Sequence, residues 1–302
     1  MIFAGLVEGK ARSRSYEAIS IANHPNSLQS RAMIQTEIDI EQFHRDGFHV
    51  GRRLFSGHEV ARLRDVSMEQ AKDGPVEGLS DIRKDFDPAD PLSRYPRMMH
   101  PHQHPDKLVG EISMRTMLDP RLEPILRTLF GEPPFAVQSM FYFKPPGARG
   151  QDLHQDNFYL RVKPGTCMGM WLAIDDADRG NGGMVIVPGS GGMDVVCPER
   201  ADSKTFFTTE HVAVPEGLKE EPIDLKAGDV LFFNGSVIHG SYPNTSEDRF
   251  RRAFICHYVP ASTSELSNWY RYPFSFDGRK HSIADATGGG PCGTPQAIVA
   301  PH

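Results

Sequence analysis

The stretches GDVLFFNGSVIHG (228–240) and RAFICHYV (252–259) decide the fold. Each is a short apolar or alternating run bounded by Gly, Pro or polar turn residues, a pattern of strands and not of helices. Three runs of the same kind precede them: PFAVQSMFYF (134–143), MGMWLAID (168–175) and GGMVIVPGS (182–190). Short strands in this succession predict a mainly β domain, a double-stranded β-helix (a cupin-like jelly roll) with its core over about 135–260.

Upstream the grammar is helical. IDIEQFHRDGFHV (38–50) predicts a short helix, a turn at Asp46-Gly47 and an edge strand. Ser56 stands where it can cap a helix through HEVARLRDVSMEQ (58–70), whose Val60, Leu63 and Val66 recur at helical spacing. Residues 106–130 return to helix, divided near Pro120 and stopped by Gly131. These N-terminal and inserted helices are expected to cover one face of the jelly roll. Residues 72–104 are rich in Gly, Pro and charge, long enough for a lid or binding loop. Residues 1–34 are expected as an N-terminal arm, 35–275 as a single domain and 276–302 as a C-terminal tail whose end, 286–302, packs poorly.

Composition narrows the function classes. With 39% hydrophobic and 24% charged residues among 302, the chain can bury a core and is not globally disordered. A net charge of −6 disfavours a broad nucleic-acid footprint. No run approaches the roughly 20 apolar residues of a membrane span. The first residues lack the order of a secretory signal. The expectation is a soluble cytoplasmic protein, a monomer or homodimer, with a small-molecule substrate and no nucleic-acid or membrane partner. Cys167, Cys197, Cys256 and Cys292 form no CxxC pair, so neither a disulfide framework nor a zinc ribbon is expected.

The chemistry concentrates in LHQDNFYL (153–160). On an extended chain His154 and Asp156 point the same way, so an imidazole and a carboxylate meet one ion. His239 follows the strand-like GDVLFF and could return to the same cavity. Two His and one carboxylate on one face of an octahedral ion leave three positions open, the arrangement of non-haem Fe(II) oxygenases. The bland alternative is a polar residue satisfied at a strand edge. Arg251, on the next predicted strand, carries a fork that pairs bidentately with a carboxylate, or else is one solvated charge of the run RFRRA. Alternation turns Arg252 away, and Arg249 sits nearer the turn.

These motifs, with VQSMFYFKPPG (137–147) and GMWLAIDDADRGNGGMVIVPGS (169–190), resemble the phytanoyl-CoA dioxygenase-like family of Fe(II)/2-oxoglutarate-dependent dioxygenases over roughly 38–260. The resemblance implies iron ligation by His154, Asp156 and His239. It further implies a clamp on the distal carboxylate of 2-oxoglutarate by Arg251 with help from Ser241. Met140, Gln155 and Trp171 are implied to line the cosubstrate site, and Arg97 to stand where relatives use an upstream lysine. Gly191 stands where a histidine that is not a ligand is common. A carboxylate at 156, where a halogenase has Gly or Ala, favours hydroxylation. The implied reaction uses Fe(II), 2-oxoglutarate and O2 to hydroxylate an unactivated C–H of a small, polar or anionic metabolite, releasing succinate and CO2. The alternatives are a hydroxylase of a larger secondary metabolite (terpenoid, polyketide or peptide-derived) and a non-catalytic cupin-like binding protein.

Substrate candidates flank these positions. Tyr142 and Lys144 share the parity of Met140, and Asn157 and Phe158 follow the ligand Asp156, Phe158 pointing inward if the strand stays regular. His100, the preferred member of HPHQHP (100–105), could donate to substrate from the loop, and Trp269 could close the pocket or simply pack.

Overall fold

The computed structural model describes residues 38–270, 272–287 and 292. The expected arm, 1–34, lies outside them.

Two antiparallel sheets face one another. The larger runs in the order Phe48–Gly51, Val230–Asn234, Met168–Ala173, Ala253–Pro260, Pro134–Tyr142 and Met98–Met99. The smaller runs Gln151–His154, His239–Ser241, Met184–Ile186 and Glu221–Ile223. This is the mainly β, jelly-roll architecture expected. The period of two sorts the side chains. On the strand Ala253–Pro260, Phe254, Cys256 and Tyr258 turn to the helices. Ala253 and Ile255 turn inward, with Trp171, Leu231 and Phe233 of the neighbouring strands, toward Met184 and Ile186 of the smaller sheet. Every residue of that strand is buried, because helices cover one face and the second sheet the other.

The helices are built as their sequences dictate. Ile40–Asp46 ends on Gly47 at φ 85°, and Phe48–Gly51 then enters the sheet at its edge. Ser56 and Glu59 form a reciprocal capping box at the start of Gly57–Gln70. Leu108–Met117 and Leu122–Phe130 are separate helices, the second closed by Gly131 at φ 75°. Leu63, Val109, Met117, Leu122 and Leu126 form one core with Phe141, Met170, Phe232 and Phe254. The Tyr258 hydroxyl donates to the Met117 carbonyl at 2.7 Å, so its burial leaves no unpaired O–H.

The 72–104 segment holds a short helix, Pro91–Arg94, and the strand Met98–Met99, which extends the larger sheet. One expectation is corrected. A disulfide joins Cys197 to Cys292, bringing together residues 95 apart that no local spacing rule couples. Ahead of the stretch expected to pack poorly, Ala284–Asp285 pairs in parallel with Glu265–Leu266, and Ile283 is buried.

Candidate metal and anion site

His154 and His239 are direct partners in the pairing of their two strands, which brings the imidazoles of distant residues to a ring separation of 4.3 Å. Each Nδ1 lies against a carbonyl oxygen two residues back, Asp152 O at 2.8 Å and Val237 O at 2.9 Å. A carbonyl only accepts, so each Nδ1 carries the hydrogen and each Nε2 turns its lone pair into the cavity. Asp156 reaches the same point by a different route from the one expected. The strand stops at His154, and Asp156 stands at the head of the short helix Asn157–Leu160. Its oxygens lie 3.5 Å from His154 Nε2 and 3.6 Å from His239 Nε2. One donor atom from each of the three falls within 4.8 Å of the others.

The electrostatics suit a cation. Burial pushes His239 down to about 4 against the pull of Asp156, which leaves a neutral, ligating imidazole near neutral pH. Burial tends to raise the Asp156 carboxyl, yet the neighbouring imidazoles of His239 and His257 and the hydrogen bond from His257 hold it well below the usual range. Two imidazole nitrogens and one carboxylate fit a divalent first-row metal with open coordination positions.

His257 is the residue that the sequence reading missed. Its Nε2 donates to Asp156 Oδ2 at 2.8 Å, and its Nδ1 meets Gln138 Oε1 at 2.9 Å. Both ring nitrogens are engaged, so the imidazole cannot turn, and the carboxylate it holds is oriented in turn. The signal was available: His257 shares strand parity with Ile255, Ala253 and Arg251.

At the other end lies Arg251, 2% exposed. Its Nε donates to Gly182 O at 2.9 Å, its guanidinium lies 5.3 Å from the Trp171 ring centroid, and its Nη1 has no hydrogen-bond partner. Burial lowers it to about 10. Among the described residues no carboxylate pairs with it. Its neighbours differ in this respect: Arg249 is paired with Asp178 and Arg252 with Asp175. An unpaired buried cation is costly, a cost that an anion entering the cavity would offset. Arg251, Ser241, Met140, Trp171 and Tyr142 line one cavity with His154, Asp156 and His239.

Other expected residues stand elsewhere. The Gln155 carboxamide turns away, donating to Ser236 O at 2.7 Å and accepting from Val196 N at 2.9 Å. Arg97 sits behind Tyr142, donating to its hydroxyl at 2.7 Å and paired with Asp81 at 2.8 Å, so it does not reach the cavity. Because the chain turns helical at 157, Phe158 packs with Tyr159 and Leu160 in a separate apolar cluster. Asn157 accepts from Val162 N at 3.0 Å and so serves its own turn. Lys144 is buried beside Ser241. His100 stacks on buried Tyr270, and burial lowers it to about 4. Trp269 is 46% exposed and does not line the cavity.

Residues 43–253 match the family model described as phytanoyl-CoA dioxygenase (PhyH). The chain is 36% identical over 141 residues to phytanoyl-CoA dioxygenase 1 of Oryza sativa subsp. japonica, covering 45% of this chain and 49% of that protein. It is 31% identical to the mouse phytanoyl-CoA dioxygenase domain-containing protein 1, covering 50% and 54%. The chain spans about half the length of these curated relatives. In fold it is similar to the epimerase SnoN, solved with Fe3+, alpha ketoglutarate and nogalamycin RO, at TM-score 0.59 and 19% identity, covering 74% of this chain and 83% of that one.

Proposed function

Because the chain belongs to the phytanoyl-CoA dioxygenase family, we propose that it is an Fe(II)/2-oxoglutarate-dependent oxygenase that hydroxylates an unactivated C–H of a small metabolite, with release of succinate and CO2. The observation that carries this reading is the pairing, in one cavity, of a three-donor metal corner with a buried guanidinium that no carboxylate among the described residues pairs. His154, Asp156 and His239 would hold the iron, and Arg251 with Ser241 would hold the far carboxylate of 2-oxoglutarate. Bound Fe(II) supplies the activation of O2 that is coupled to decarboxylation of the cosubstrate. The chain supplies geometry: His257 keeps Asp156 oriented, two backbone carbonyls keep both imidazoles in the ligating tautomer, and Trp171 and Met140 shield the Arg251 end from water.

Of the six residues expected at the substrate, Tyr142 lines this cavity and the other five do not. Met140, Met184, Phe207, Phe233 and Ile255 make the remaining wall largely apolar. This supports a small substrate that presents an apolar C–H, with a single polar handle near Tyr142, and weakens the expectation of an anionic one. Succinate formation from 2-oxoglutarate, raised by a panel of small metabolites, tests the reading. No metal-dependent succinate with any of them counts against it.

No helix among the described residues is long and apolar enough to cross a membrane. The cytoplasmic location is opposed by the Cys197–Cys292 disulfide, which a reducing compartment would not favour. Thiol titration of protein isolated under alkylation decides between the two. The expectation of a monomer or homodimer is tested by sedimentation.

A further inference from the structure

Lys144 lies at the anion end. Its buried Nζ donates to Ser241 Oγ at 2.8 Å and to the Tyr242 carbonyl at 2.5 Å, with the Gly182 carbonyl at 3.4 Å. The Gly182 carbonyl also accepts from Arg251 Nε at 2.9 Å. Lys144 is thus tied directly to Ser241 and, through one shared oxygen, to Arg251. The backbone makes room for this. Gly182 has φ +87°, and a Cβ there would come within 2.5 Å of Lys144 Cδ. Lys144 itself is held at φ 37°, which residues with side chains rarely adopt. Arg251 N and Asn244 Nδ2 both donate to its carbonyl oxygen, at 3.0 and 3.1 Å. Such a conformation persists where the surroundings over-determine it.

A serine hydroxyl has two lone pairs and one proton. Ser241 Oγ accepts from Lys144 Nζ at 2.8 Å and from the Gln151 N–H at 3.3 Å. Both lone pairs are taken, so the proton is left for the cavity that Ser241 and Arg251 line. Among the described residues no carboxylate pairs with Lys144, and burial and the neighbouring Arg251 push its amine well below the ordinary lysine range, so its part here is that of a hydrogen-bond donor.

We propose that Lys144 is a positioning residue for the cosubstrate. It aims the Ser241 hydroxyl at a carboxylate seated against Arg251, which selects oxo acids carrying a far-end carboxylate. This rests on the 2-oxoglutarate reading above. The test is calorimetric binding of 2-oxoglutarate and of 2-oxopentanoate, which has a methyl in place of the far carboxylate, to the full chain loaded with Mn(II). Lys144→Met is expected to weaken 2-oxoglutarate about 10–100-fold, the range for a lost charge-assisted bond, and to leave 2-oxopentanoate unchanged. In a Ser241→Ala background the same change is expected to cost less. Equal weakening of both acids, or of neither, overturns the proposal. Lys144→Gln keeps N–H donors and serves if the Met variant does not fold; the same selectivity at smaller amplitude is expected, and equal losses overturn it. Wild-type protein that binds neither acid overturns the cosubstrate reading itself, a result visible before any variant is made.

Discussion

The two ends of the cavity are opposites. The metal corner presents lone pairs: two imidazole nitrogens and a carboxylate turned toward one point. The Arg251 end presents donors and positive charge with no carboxylate among the described residues. Each end is costly when empty, for the reverse reason. A metal would satisfy the first and an anion the second, and a bifunctional oxo acid of the right length would reach from the metal to Arg251. The difference teaches that the site is specified by what it lacks at each end, more than by any contact it already makes.

Substitution at the metal corner gives the largest expected effect. Asp156→Ala removes a ligand and is expected to abolish metal-dependent succinate formation and to lower Fe(II) or Mn(II) affinity, read by calorimetry. A variant that still binds metal as wild type does would break the assignment of that corner. Arg251→Met comes next. It is expected to raise the 2-oxoglutarate requirement by about 100-fold while metal affinity holds, since a buried charge-assisted pair is lost. Unchanged apparent affinity for 2-oxoglutarate would remove the anion end from the comparison. His257→Phe sharpens the first end from behind. Loss of a partner that orients a ligand typically costs about 10–100-fold in metal affinity, and 2-oxoglutarate affinity measured at saturating metal is expected to stay near wild type.

The smallest effect is sought outside the cavity. Glu59 caps its helix and pairs with Arg121 at 2.7 Å. Burial works against its charge, yet hydrogen bonds from Arg121 and Ser56 bring the carboxyl down to about 2 from an ordinary 4.5. The folded value is below the unfolded one, so this stabilisation is complete above about 4.5 and is lost as pH falls toward 2. Glu59→Gln is expected to lower stability by about 1 kcal/mol at pH 7, seen as a drop in Tm that shrinks at acid pH, with cosubstrate affinity unchanged. A change in 2-oxoglutarate affinity would mean that the two ends are not insulated from the helical face.

The amino-acid sequence by itself determined the strands, the capped helices and the candidate ligands His154, Asp156 and His239, because period, capping and local motif are properties of neighbours along the chain. It also separated Arg251 from Arg252 by parity, and from Arg249 by the nearness of Arg249 to the turn. Regular alternation misled at Phe158, where the strand ends early and the chain turns helical. The family resemblance, not alternation, pointed Gln155 toward the cosubstrate, and its amide is bonded to backbone at 196 and 236. Only the tertiary structure decided that His257 stands behind Asp156, that Lys144 belongs with Ser241 and Arg251, and that Cys197 meets Cys292. Those pairings join residues about a hundred positions apart. They depend on which strands lie side by side and in what register, and a pattern read along one strand carries no record of its neighbour.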